Sequence, residues 1–176
     1  MARPMSEFNT AFDRVFINEG GYTNTYEDRG NWTSGKVGEG ELKGTKYGIS
    51  AMAYPDVDIQ NLSIDDAKMI YRRDWWDSLE MGRFRVAMQY QMFDAALNHG
   101  IGAASKMLQR AAGAVPDGVI GPMTRKAAAA MDINDLLMHF LAERLVFMTR
   151  ISAWPTFGKG WARRIAHNLK IAAEDN

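Results

Sequence analysis

Glu19 stands directly before Gly20-Gly21-Tyr22, at the end of a stretch in which Phe8, Phe12, Val15 and Phe16 recur at spacings of three and four. That spacing predicts an amphipathic helix over about residues 5–18, and the paired glycines predict where it stops. Glu19 would then sit on a rigid element facing a loop. The negative end of the helix dipole disfavours its ionised form, and partial burial raises a carboxyl pKa further. A glutamic acid kept protonated near neutral pH can hand its proton to a departing alcohol, the step that glycoside cleavage needs. By position alone, an ordinary exposed glutamate at a helix end is the better reading, so the neighbouring residues must weigh in.

Asp28 lies nine positions further on, and Thr45 and Tyr47 follow before the chain turns helical again. Two carboxylates flanking a groove can divide the work: one donates a proton, while the other activates water or stabilises the developing positive charge on the sugar. Glu27, Glu39 and Glu41 compete with Asp28 for the second role. The Thr45 hydroxyl is suited to holding the water. Sugars offer apolar faces and many hydroxyls, which call for aromatic platforms and side-chain amides. Tyr22, Asn24, Tyr47, Asn98 and Gln109 are therefore the candidate binding residues, with a helix cap an equal reading for Asn98. Trp154 and Trp161 read as packing residues. His99, His139 and His167 are scattered without metal-ligand spacing. No metal or other cofactor is expected, and no phosphate loop, dinucleotide fingerprint or Ser-His-Asp order occurs.

These residues need elements to hold them. Residues 20–48 contain eight of the sixteen glycines mixed with Asn, Thr, Asp and Ser, which predicts a long ordered loop. Short β-pairing within it is placed around Lys36–Val37 and Thr45–Tyr47. A short helix is expected from Ser50 to Tyr54, then one from a Ser63 cap to about Trp76. Further helices are expected over 84–98, 102–112, from Gly121-Pro122 onward, over 133–152 to a break at Trp154-Pro155, and over 160–173. The fold class is mainly α: a helical globule with a glycine-rich loop region and room for a small β-hairpin. Residues 1–95 would form the catalytic region and residues 96–176 a helical C-terminal region, packed together as one compact globule.

The chain has 176 residues, 47% hydrophobic and 24% charged, with no cysteine and a formal net charge of zero. This excludes disulfides and thiolate metal sites and gives no general pull toward nucleic acid. Residues 1–120 carry 13 basic and 16 acidic side chains, and residues 121–176 carry 8 and 5, so the C-terminal part is mildly basic. No apolar run has the length of a membrane span, and no signal-peptide core follows Met1. Synthesis in the cytoplasm without a signal peptide is the expectation, so a substrate outside the inner membrane would need another route of delivery.

Glu19-Gly20-Gly21-Tyr22, Asp28, Gly30 and Thr45-Lys46-Tyr47-Gly48-Ile49 together resemble the N-terminal signature of glycoside hydrolase family 108. These are N-acetylmuramidases of bacteriophage endolysins and of bacterial lysis or secretion proteins. The likeness continues through Ala67 to Trp76, Phe93 to Gly100, Leu108 to Ala111, Asp117 to Thr124 and Gly160 to Arg164, the later pieces resembling a peptidoglycan-binding region. The resemblance implies that Glu19 is the catalytic acid. The spacing of Glu19, Asp28 and Thr45 is also similar to that in small phage lysozymes, which implies Asp28 and Thr45 as its partners. Hydrolysis of the β-1,4 bond between N-acetylmuramic acid and N-acetylglucosamine is the implied activity. Peptidoglycan glycan strands are the implied partner of a monomer that reaches the wall through a holin-type pore and does not insert stably in a membrane. One departure matters: Asn31 to Gly44 is longer than the family's usual link, which leaves the alignment of Asp28 open and would add a flap over the cleft. A lytic transglycosylase and a non-catalytic wall-binding or virion structural module are the competing readings.

Overall fold

The computed structural model describes residues 4–16 and 21–176. Among them it is mainly helical: seven α-helices and one two-stranded antiparallel hairpin. The chain forms two compact units, Phe8–Asp74 and Trp75–Asn176, the second also taking in the first residues of the opening helix.

The first unit begins with α1 (Pro4–Phe16), whose Phe8, Ala11 and Phe12 are buried as the spacing predicts. The Phe12 ring stacks on Phe16 with centroids 4.4 Å apart and meets Tyr71 edge-on at 5.7 Å. Full burial of such a ring stabilises by roughly 2–3 kcal/mol. The glycine-rich stretch follows. In it β1 (Thr45–Lys46) pairs with β2 (Ile49–Ser50), Thr45 opposite Ser50 and Lys46 opposite Ile49. The connecting Tyr47-Gly48 turn has φ of 51° and 74°, the left-handed pair that matches the twist of a two-residue hairpin. The pairing expected near Lys36–Val37 falls instead at Trp32–Leu42 and Thr23–Thr45. No helix forms at 50–54: the N–H groups of Ala53 and Tyr54 close a single turn on the Ser50 carbonyl, and Pro55 ends it before a helix can nucleate. α2 (Ile64–Tyr71) starts at Ser63, which forms a reciprocal capping box with Asp66. The chain continues as a π-helical segment, Arg72–Asp77, in place of the α-helix expected to run to Trp76, and passes within it from the first unit to the second.

The second unit is built around α3 (Val86–His99). Ten of its fourteen residues are buried, so it is a core helix enclosed on nearly every side. α4 (Ile101–Ala111), α6 (Ile133–Thr149) and α7 (Trp154–Glu174) pack on it, and α5 (Pro122–Ala130) joins α4. Pro122 opens α5 as expected. Trp154-Pro155 does not break the chain but opens α7, six residues before the expected start. Proline is tolerated in a first turn because its missing N–H has no acceptor there. Gly158, inside α7, is a packing residue: a Cβ on it would lie 2.7 Å from the Trp154 indole.

Candidate active site

Glu19, with Gly20, lies outside the described residues. The loop that follows it is described from Gly21 onward, and its hydrogen bonds converge on Asn31, which is fully buried. The Asn31 Oδ1 accepts from the Thr45 hydroxyl at 2.7 Å, and its Nδ2 donates to the Thr25 carbonyl at 3.0 Å. Its backbone N–H donates to the Asp28 carbonyl at 3.1 Å, and its own carbonyl accepts from Lys43 and Gly44, both at 3.0 Å. One asparagine thus ties Asp28, Thr25 and Thr45 into a single network.

Asp28 caps the short 3₁₀ turn Arg29–Asn31: its Oδ1 accepts from the Gly30 N–H at 2.8 Å, and the side chain is exposed. Thr45 is half-buried and bonded twice to Thr23 through the backbone, at 2.9 and 2.8 Å. Gly44 between them has φ 84°, and a Cβ there would lie 2.4 Å from the Thr23 carbonyl oxygen and 2.7 Å from the Tyr22 ring. The absent side chain is what lets Tyr22 lie against the strand. Tyr22 remains 36% exposed, and Asn24 is exposed beside it. Tyr47 is held by its carbonyl, which accepts from the Tyr71 hydroxyl at 2.9 Å, and its ring lies beneath Lys46 Nζ at 5.5 Å. Asp28, Thr45, Tyr22, Asn24 and Tyr47 therefore share one loop region of one unit.

The stretch between Asn31 and Gly44 closes on itself. The Thr33 N–H donates to the Glu41 carbonyl and the Glu41 N–H to Thr33 Oγ1, both at 3.0 Å. Beyond that clasp, Ser34 Oγ donates to the Glu39 carbonyl at 2.7 Å and Lys36 pairs with Glu39 at 3.4 Å. Below it Trp32 is buried, its Nε1 donating to the Tyr26 carbonyl at 2.8 Å.

Asn98 and Gln109 belong to the other unit. Gln109 is 1% exposed, and its amide clamps a turn. Its Nε2 donates to Asp117 Oδ1, the Val119 carbonyl and Thr124 Oγ1, and its Oε1 accepts from the Gly118 N–H. Asn98 donates to the carbonyl and carboxylate of Asp94 at 2.7 and 3.1 Å. Asp94 is the centre of a buried polar cluster that the sequence reading did not identify. It accepts from Arg144 at 2.5 Å, Asn168 at 2.9 Å and Arg164 at 3.0 Å, joining α3, α6 and α7. Burial opposes the Asp94 charge, but Arg144, Asn168 and Arg164 together outweigh it and hold the carboxyl below its ordinary range. His99 accepts from Arg144 Nε at 3.1 Å, and burial, with Arg144 beside it, pushes its pKa down to about 4. A signal for this cluster was available: Arg144 falls on the apolar period of α6 with Phe140, Leu141 and Met148. Asn31 gave none, being one polar residue in a polar loop. Among the described residues no group of three His, Cys, Asp or Glu is arranged to hold a metal, and no helix is long and apolar enough to cross a membrane.

Comparison with known proteins places these two regions. Residues 12–100 match the family model described as Glycosyl hydrolase 108, and residues 103–166 match one described as Predicted Peptidoglycan domain. The sequence reading divided the chain after residue 95, the compact units part at Asp74–Trp75, and the two family matches part between 100 and 103. A solved structure, that of Brucella abortus SagA, is similar with a TM-score of 0.78 and 27% identity, covering 97% of this chain and 95% of that one. No curated protein matches.

Proposed function

The chain belongs to glycosyl hydrolase family 108, joined to a peptidoglycan-binding domain, and from that premise we propose that it is an N-acetylmuramidase with Glu19 as its general acid. The family match over residues 12–100 carries this reading, because it spans Glu19 and the Asn31-centred loop in one piece. The bond cleaved is the β-1,4 link between N-acetylmuramic acid and N-acetylglucosamine. Glu19 protonates the leaving glycosidic oxygen, and a water adds to the anomeric carbon. The Thr45 hydroxyl donates its hydrogen bond to Asn31 Oδ1, so its oxygen is presented to that water as an acceptor. Asp28 uses Oδ1 on the Gly30 N–H and offers Oδ2 to the water or to the positive charge on the sugar. Tyr22, Asn24 and Tyr47 hold the glycan. Gln109 and Asn98 serve it indirectly, through the turn and the cluster they organise. We assign the whole an endolysin-type lytic role, with release across the inner membrane by a pore.

The test is muropeptide analysis of digested murein with wild type and Glu19→Gln. Hydrolysed, reducing muramic acid ends are expected from wild type, and a loss of at least ~100-fold from the variant. Anhydro ends would identify a transglycosylase instead. Undiminished activity in Glu19→Gln would remove the acid assigned here.

A further inference from the structure

The helical unit holds a cavity of about 410 Å³ between α4 and α6. Gly102, Ala103, Val146 and Phe147 give it an apolar floor. Lys106 and Arg110, one turn apart on α4, and Arg150, capping α6, bring three cations to it, and Glu143 adds one carboxylate. Cations near helix C-termini suit the dipole, which accounts for Arg110 and Arg150 singly. Lys106 lies against Gly118 and is attracted to Asp117 in the next turn, but neither effect accounts for three like charges converging on one hollow, since cations one turn apart repel. Among the described residues none of the four charged groups forms an ion pair or a side-chain hydrogen bond. The matched peptidoglycan domain, residues 103–166, is itself basic, with nine Lys and Arg against four Asp and Glu.

We propose that this cavity binds the peptide stem of peptidoglycan; the proposal rests on the peptidoglycan reading above and extends it from the glycan to the peptide. A diaminopimelate-type stem carries several carboxylates and a single free ammonium, joined by short alkyl segments. Three cations and one carboxylate over an apolar floor are the complement of that pattern. The two guanidinium groups take carboxylates in paired hydrogen bonds, Glu143 takes the ammonium, and the floor takes the alkyl chain. The volume lies within the usual range for small-ligand sites. A second attachment to the same polymer raises the local concentration of glycan around the enzyme.

The test titrates the full chain, ¹⁵N-labelled, with the tripeptide N-acetyl-L-alanyl-γ-D-glutamyl-diaminopimelate, whose blocked N-terminus leaves one ammonium, as in the polymer. This probe has no glycosidic bond, so it reports on the cavity whether or not Glu19 catalyses anything. Amide shifts are expected at Gly102, Ala103, Val146 and Phe147. The double variant Arg110→Gln/Arg150→Gln should weaken binding at least about tenfold, and Arg110→Lys/Arg150→Lys should recover part of it. Both positions are exposed, and circular dichroism verifies the fold of each variant. Absence of shifts at those amides, or unchanged affinity in the glutamine variant, would overturn the proposal. So would inorganic phosphate competing as strongly as the peptide, since the cavity would then be a general anion site.

Discussion

Removing the Asn31 carboxamide leaves the Thr45 hydroxyl and the Thr25 carbonyl without this partner at the half-buried base of the loop. Asn31→Ala should therefore cost about 2–4 kcal/mol, read by urea denaturation. Thr45→Val is the sharper variant, because it keeps the shape and deletes one oxygen. It should lose about 1–2 kcal/mol, and kcat should fall about tenfold or more with KM little changed, while Thr45→Ser keeps both. A Thr45→Val enzyme with wild-type kcat would show that the hydroxyl holds no reacting water. At this scale the candidates were visible in the sequence: Asp28, Thr45 and Tyr22 stand out by identity and order, and the structure brings them into one loop region. The residue binding them was not visible, because Asn31 acts through contacts with residues 3, 6 and 14 positions away that no local pattern encodes.

Elements were legible where one period governs many residues. α1 and α6 follow their apolar spacing, and Ser63 and Pro122 mark helix starts by their own chemistry. Reading failed where one residue type serves two purposes. Pro155 was taken for a breaker and is an initiator, in a helix whose Gly158 makes room for the Trp154 ring. The loop depends on its glycines in the same specific way. Gly44→Ala combines an unfavourable φ with a backbone oxygen 2.4 Å from the new Cβ, and flexible side chains cannot relieve that contact. Its expected cost is above about 2 kcal/mol in thermal or chemical unfolding, against about 1 kcal/mol for loss of the Ser63 cap in Ser63→Ala. Similar losses from the two variants would mean that the strand can retreat from Tyr22.

For the molecule as a whole, the buried charges set the pH range of stability. His99 titrates at about 4 when folded and near 6.5 when unfolded, so the unfolded chain binds the extra proton between those values. Stability should fall as pH drops from about 6.5 to about 4, and His99→Gln should flatten that slope. Because the ring is partly exposed, the loss is discounted to roughly 1–2 kcal/mol. Asp94, with its folded pKa depressed, adds stability above the unfolded value near 4 that is lost as pH falls through the folded one. Asp94→Asn leaves Arg144 buried without its counter-charge and should cost about 3–5 kcal/mol at neutral pH. Melting temperatures across pH for the three proteins distinguish these contributions: a slope between pH 6.5 and 4 that survives in His99→Gln would assign it to another group.

The clasp between Thr33 and Glu41 has an evolutionary consequence. Beyond it Ser34, Lys36 and Glu39 bond mostly among themselves, with the Gly35 N–H returning to the Trp32 carbonyl, while Asn31 and its partners lie below it. Natural variation can therefore lengthen, shorten or recharge the tip around Val37-Gly38 without disturbing residues nearer the chemistry. Because the entropy of closing a loop grows only slowly with its length, a short flexible peptide spliced between those two residues should shift the melting temperature by no more than about 2–4 °C.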